Sequence, residues 1–144
     1  MYRLASLLLV SSALFGCTAG SPSHQIVLPE GGAVRIPITE VNDGAVHFFT
    51  FVHKGKNVNF LVRTDGTGAT HAHLDACYAC YRYRKGFTVE GRNLVCIACR
   101  LEYAISDEVW DYIGACAPIT IHSSMSGEYL SIDSAILEKA GRYF

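Results

Sequence analysis

The sequence predicts an α+β fold: one small β-rich domain closed by a short C-terminal helix. Three observations carry that prediction. Runs of β-branched and aromatic residues recur between turn signals. Residues 58–63 alternate with period two, so at least one strand face is buried. The last twelve residues change to a helical pattern behind an aspartate. A chain of 144 residues fits one domain with attachments. Its composition is 50% hydrophobic and only 17% charged, which excludes a disordered chain. A net charge of −1 provides no basic face, so nucleic acid is not an expected partner.

The domain begins at His24 with a short apolar run, Ile26-Val27-Leu28, stopped by Pro29-Glu30-Gly31-Gly32. Residues 33–38 form a second strand, and Pro37 places it at an edge or at its own end because proline cannot donate to a ladder. Asn42-Asp43-Gly44 is a turn. Residues 46–53 and 58–63 form a hairpin around Lys54-Gly55-Lys56-Asn57, with Val58, Phe60 and Val62 on the buried face. After Asp65-Gly66-Thr67-Gly68, residues 69–74 return as a strand carrying His71 and His73 on one face. Phe87-Thr88-Val89 and Leu94-Val95 flank a small hairpin at Glu90-Gly91-Arg92-Asn93. Ser106 is a candidate N-cap for a one- or two-turn helix holding Trp110, Tyr112 and Ile113. Residues 119–122 and 129–132 read as strands around Ser126-Gly127. Asp133 caps the closing helix and Gly141 stops it.

Ahead of the domain, residues 1–16 read as a signal peptide. Arg3 supplies the positive end, residues 4–15 a short apolar core, and about 12 such residues are too few to cross a hydrocarbon core as a helix. Leu14-Phe15-Gly16-Cys17 resembles a bacterial lipobox, so Cys17 is the expected lipid attachment and membrane anchor, with residues 17–23 as a small polar tether. An ordinary cleaved signal, or an uncleaved anchor, is the plainer alternative. Residues 24–144 then form a single cysteine-rich domain. The expected location is the cell envelope, as a membrane-anchored lipoprotein facing the periplasm or exterior.

The chemistry lies in the cysteines. Six are present, and four of them follow C-x2-C-x15-C-x2-C: Cys77, Cys80, Cys96 and Cys99. Two cysteines three positions apart in a tight turn aim both sulfurs at one point, and backbone N–H groups of the turn can donate to them. Two such turns joined by a hairpin resemble a zinc ribbon and give four soft ligands for zinc, mononuclear iron or an iron–sulfur cluster. Covalent c-type haem is excluded, because Tyr81 and Arg100 follow the pairs where a histidine is required. Two disulfides are the main alternative, since a signal peptide implies an oxidising compartment. A thiol oxidoreductase fits less well, because the pairs flank a hairpin instead of opening a long helix. Cys116, between small residues and before Pro118, is either a fifth ligand, a substitute ligand or a buried thiol.

The remaining candidates flank the cysteine pairs. His71 and His73 either extend the site or occupy a half-exposed strand face. Asp75 can hydrogen-bond the first cysteine turn or a histidine. The stretch Tyr78, Tyr81, Arg82, Tyr83, Arg84, Lys85 either docks an anionic partner or covers the cysteine turn with amphipathic side chains. No nucleophile elbow marks a hydrolase and no phosphate-binding glycine loop is present.

Together these residues resemble a known family. Val34-Arg35-Ile36-Pro37, the hairpin through Phe48, Phe51 and Phe60, Asp75-Ala76-Cys77-x-x-Cys80, Gly86-Phe87 with Val95-Cys96-x-x-Cys99, and Gly114-Ala115-Cys116-Ala117-Pro118 are similar to the membrane iron–sulfur containing proteins of the FtrD-like type. The resemblance implies a metal or iron–sulfur centre that includes Cys116. It also implies association with iron uptake beside an iron permease and periplasmic iron-binding or copper proteins. Larger members carry membrane helices, a role the acyl chain on Cys17 would take here. Arg100 stands where the family has glycine, and Ala115 and Ala117 replace glycine and asparagine, which alters the turns around the site. The expected function is electron transfer or metal handling, without catalytic residues. The alternative is a structural adaptor folded by zinc or disulfides.

Overall fold

A computed structural model describes residues 21–110 and 116–144. The expected signal segment, Cys17 and the first part of the tether lie outside the described residues, as do Tyr112, Ile113, Gly114 and Ala115. The chain is mostly β. Its strands are β1 (Gln25–Val27), β2 (Ala33–Pro37), β3 (Val46–His53), β4 (Lys56–Thr64), β5 (Thr70–Cys77), β6 (Phe87–Glu90), β7 (Asn93–Cys96), β8 (Glu102–Ala104), β9 (Pro118–Ile121), β10 (Ser124–Ser126) and β11 (Tyr129–Asp133). One α-helix, α1 (Ser134–Ala140), follows, and the other helical turns are short 3₁₀ pieces. Among the described residues, the α part of the predicted class is thus a single seven-residue helix.

Three sheets stack. The central one has the order β1-β3-β4-β5-β9, the second β10-β11-β2 and the third β6-β7-β8. β1 joins β3 in parallel, and the other central pairs are antiparallel. The β3–β4 hairpin is tighter than the sequence suggests. His53 pairs with Lys56, so Lys54 and Gly55 alone make the turn, with φ of 48° and 76°. Two positive φ values at the centre match the type I′ geometry that follows strand twist, and glycine meets that demand without strain.

Both faces of the central sheet are buried, and the sequence announced only one. Phe49, Phe51, Val58, Phe60, Val62, Ala72, Leu74 and Ala76 point into a core shared with Val34 and Ile36 of β2, Leu130 and Ile132 of β11, and Leu137 of α1. The opposite face presents Phe48, Leu61 and Cys77 to Phe87, Leu94, Cys96, Tyr103 and Trp110. Leu61 and Arg63, predicted on the unburied side of β4, have no exposed surface. The small third sheet covers Leu61, and the loop of Ile105, Asp107 and Glu108 with the Trp110 ring covers Arg63.

One element differs from the sequence expectation. Ser106 opens no helix: residues 106–110 are turn and irregular. The cause is Arg63, whose guanidinium donates to the carbonyl oxygens of Ile105 (2.8 Å) and Asp107 (2.5 Å) and reaches that of Glu108. Carbonyls turned toward a buried cation are not aligned to accept along a helix axis. Residues 119–122 and 129–132 are strands, as expected, and each has its own neighbour. β9 leaves for the central sheet beside β5, and β11 pairs with β10 through Ser126↔Tyr129. The closing helix agrees, with the Asp133 carboxylate accepting from Ala135 N at 2.8 Å. Gly141 ends it without a left-handed turn, at φ −54°.

Candidate metal centre

Side chains alternate along a strand, so β5 sorts its residues into two classes. Ala72, Leu74 and Ala76 enter the apolar core, and His71, His73, Asp75 and Cys77 face the third sheet. Cys77 ends the strand, and Cys80 lies in the turn after it, closed by Cys80 N donating to Cys77 O at 3.0 Å. Beyond the mid-strand irregularity β9 reaches the same end of β5. Cys77 is opposite Pro118 and Tyr78 N donates to Ala117 O at 3.0 Å, which brings Cys116 beside Cys77. The third segment arrives on the hairpin of β6 and β7, where Phe87 pairs with Cys96. A turn then returns the chain, with Arg100 N donating to Cys96 O at 2.9 Å and Cys96 N to Leu101 O at 3.0 Å.

The result is a thiol cluster. The Sγ atoms of Cys77, Cys80, Cys99 and Cys116 all lie within 4.8 Å of one another. Cys96 is outside that mutual group and touches it through the Cys99 thiol. None of these five cysteines is in a disulfide. A metal–sulfur bond of about 2.3 Å gives a tetrahedron with a sulfur–sulfur edge of ~3.8 Å, so four sulfurs this close suit a single ion with little adjustment. A cubane cluster, with each thiolate on a different iron, requires the sulfurs to separate further. The donor set itself, four soft thiolates, fits zinc and iron in either form.

The thiols differ electrostatically. Burial, then the neighbouring thiols, push Cys80 up, and the same causes push Cys116 up to about 12. Cys96 is also raised by burial, against the pull of the Cys99 and Ala98 backbone N–H groups. Cys99 goes the other way. Burial opposes its ionisation, but the Leu101 backbone N–H and the Cys96, Cys116 and Cys80 thiols together hold it below its ordinary value. A bound cation would reverse the penalty for crowding these thiolates.

The surroundings are built to hold this geometry. Asp75 accepts from Phe87 N at 2.7 Å and sits 3.0 Å from His24 Nε2, tying β5 to the first residue of the third sheet. Gly86, at φ +65°, leaves room for it, since a Cβ there would lie 2.6 Å from the Asp75 carboxylate. A cavity of about 130 Å³ opens onto Cys77, Cys80 and Cys96 and is lined by His24, Asp75 and Lys85. Arg100 adopts φ +63°, so the left-handed position exists and arginine fills it, with an exposed ion pair to Glu90 at 2.8 Å.

The histidines are not at the centre. His71 Nε2 lies 2.6 Å from Asp65, whose carboxyl is held well below the usual range by Thr67, His71 and two turn N–H groups. His73 is buried against Trp110, with ring centroids 4.7 Å apart, and burial followed by the Arg63 charge lowers its pKa to about 3. Among the tyrosines, Tyr81 packs edge-on against Tyr143 at 5.2 Å, and Tyr83 is exposed. Sequence reasoning missed Arg63, Trp110 and Tyr103. The Arg63 guanidinium lies 3.9 Å over the Trp110 ring, and Tyr103 belongs to a strand that was not predicted. The alternation of Leu101, Tyr103 and Ile105 was the available signal for that strand.

Compared with protein families, residues 41–144 match the model of the FtrD-like family, described as membrane iron-sulfur containing protein FtrD-like. The chain belongs to the FtrD-like family. Its match covers every strand from β3 onward and Cys77, Cys80, Cys96, Cys99 and Cys116. No curated protein and no solved structure matches the chain. The family is described as a membrane protein, and among the described residues of this FtrD-like chain no helix is long and apolar enough to cross a membrane.

Proposed function

We propose that this FtrD-like chain is an envelope lipoprotein that carries electrons or handles iron during iron uptake, through an iron centre bound by Cys77, Cys80, Cys99 and Cys116. The observation that supports this most is the convergence of four thiols from three separate chain segments to within 4.8 Å. A thiolate-ligated iron supplies one-electron chemistry when bound, and the family description supplies the link to iron. The chain's own part is threefold. β5, β9 and the β6–β7 hairpin fix the sulfurs. The Leu101 N–H favours negative charge on Cys99. The cavity leaves one side of the group open to solvent or a partner. Lipidation of Cys17 would keep the centre near an iron permease and periplasmic iron-binding or copper proteins, with residues 1–16 removed and residues 24–144 acting as one domain.

A structural zinc site is the second reading, because the sulfur spacing is close to the edge of a single-ion tetrahedron, which zinc and mononuclear iron both fill. Anaerobic purification followed by elemental analysis and visible absorption separates the two. Iron with thiolate-to-iron bands that bleach on reduction supports the redox reading. Stoichiometric zinc without visible bands contradicts it.

A further inference from the structure

A net charge of −1 hides a separation of charge along the central sheet. β4 starts at Lys56 and runs antiparallel to β5, with Phe60 opposite Leu74, so Lys56 and Cys77 mark the same end of the sheet. Lys54 lies in the turn at that end. Arg82, Arg84 and Lys85 follow the Cys80 turn, and Lys139 and Arg142 border a groove with Tyr78 and Tyr143. Tyr143 packs on Tyr81 at 5.2 Å, which joins that groove to the cysteine turn. All four lysines of the sequence are therefore at this end, and all are exposed. Among the described residues none of these cations is in an ion pair. The carboxylate side chains on these elements are Glu138, beside His53 at 3.6 Å, and buried Asp75, held by His24 and Phe87 N. The opposite end is acidic. Glu40, Asp43 and Asp65 adjoin the ends of β3 and β4 there, and Asp107 and Glu108 lie on the loop that wraps Arg63, with Arg92 as an exposed cation nearby.

The chain enters the domain at the basic end. Ser21, Pro22 and His24 line the same cavity as Arg84, Lys85, Cys77 and Cys80. Cys17 precedes Ser21 by four residues, so their Cα atoms lie at most about 14 Å apart. An acyl chain on Cys17 would therefore keep this end close to the lipid headgroups. The field of an anionic lipid surface decays over a Debye length of about 8 Å in physiological salt, a distance comparable with the tether. Tyr78 and Tyr83 are exposed among the cations, and amphipathic rings beside lysine and arginine suit the headgroup layer.

We propose that this basic end docks on an anionic lipid surface and turns the cavity beside Cys77 and Cys80 toward the bilayer. This rests on the acylation of Cys17 proposed above. The tether supplies proximity, and the cations supply orientation. An acidic protein would meet the same charges, but the exit of the tether at this end brings lipid next to them first.

The test uses the protein as purified from membranes, with the state of Cys17 read from its intact mass. It is reconstituted on phosphatidylcholine vesicles, or on vesicles of phosphatidylcholine and phosphatidylglycerol in equal parts, and its lysines are acetylated with an uncharged water-soluble ester. Acetylation of Lys54, Lys56, Lys85 and Lys139, read by peptide mass spectrometry, should be about tenfold slower on the anionic vesicles and should recover at high salt. Equal labelling on the two vesicles overturns the proposal and leaves the basic end to an acidic protein. Arg82→Gln/Arg84→Gln/Arg142→Gln keeps every lysine as a reporter and should remove most of the slowing, at about fivefold in docking strength per cation. Slowing that survives in this variant overturns the proposal. Arg92→Gln, at the acidic end, should keep the full slowing, and an equal loss there would assign the effect to net charge and overturn the proposal. If the mass shows Cys17 unmodified, the lipoprotein reading fails. Flotation of the same protein with the anionic vesicles then decides the surface alone. Flotation that the triple variant loses supports it, and no flotation overturns it.

Discussion

The two faces of the central sheet are made by the same strands and do different work. On one face β5 contributes Ala72, Leu74 and Ala76 to an apolar core, and on the other it contributes His71, His73, Asp75 and Cys77. The apolar face is closed by large side chains from β2, β11 and α1, and burial of their area is its main source of stability. The polar face has a smaller apolar cluster, and its remaining contacts are specific: an arginine on three carbonyls, an aspartate on a backbone N–H, thiols against thiols. The difference teaches that the first face holds the fold and the second depends on what it binds. A site facing a rigid apolar layer gains a fixed platform, as a metal centre requires.

The comparison breaks most visibly if the apolar face is damaged. Phe60 has no exposed surface and stacks on Phe49 at 5.4 Å. Phe60→Ala should lose about 3–5 kcal/mol of stability, equally with and without bound metal, as measured by urea unfolding. A loss that appears only in the metal-loaded protein would contradict the division of labour.

A smaller effect tests the polar face through pH. His73 has a folded pKa of about 3 against an ordinary 6.5, because burial and Arg63 disfavour its charged form. Above pH 6.5 the folded and unfolded chains are both neutral at this site. Between pH 6.5 and 3 the unfolded chain binds a proton that the folded chain refuses. Stability therefore falls with falling pH, by up to about 1.4 kcal/mol per pH unit. Below the ordinary carboxylate range Asp65 adds a second loss of the same sign, since its folded pKa is depressed. His73→Phe should flatten the difference between pH 6.5 and 3, read from unfolding curves at each pH. A parallel displacement of the whole curve would contradict the account.

The smallest expected effect is at Arg100. Its left-handed backbone costs roughly 1 kcal/mol that glycine would relieve, offset by the greater unfolded-state freedom of glycine and by loss of the exposed Glu90 pair. Arg100→Gly should change thermal stability by less than ~1 kcal/mol and leave metal content unchanged. A large change in either would show that the second cysteine turn depends on the arginine.

Much of the apolar face was legible in the sequence, because period-two alternation and turn residues are local signals. The β3–β4 hairpin, the edge placement of β2 by Pro37 and the Asp133 cap are examples. The polar face was legible only in part. The spacing of Cys77, Cys80, Cys96 and Cys99 announced a site, but spacing describes turns and not the register between sheets. Cys116 enters through the pairing of β9 with β5, a contact between segments about forty residues apart, and only the resemblance to the FtrD-like family drew attention to it. Arg63 looked like an ordinary surface residue on an alternating strand. Its burial is set by the loop that wraps it, which in turn removed the helix expected at Ser106.

The central claim is that the centre uses Cys116 together with Cys77, Cys80 and Cys99, while Cys96 is a buried neighbour of Cys99. Metal bound per chain in Cys116→Ser and Cys96→Ser, purified side by side under anaerobic conditions, tests it most directly. Cys116→Ser should lose most of its metal, because three thiolates remain where four are needed, and Cys96→Ser should keep it at the wild-type ratio. Full metal in Cys116→Ser with loss in Cys96→Ser would contradict the account and restore the two Cys-x-x-Cys pairs as the ligand set.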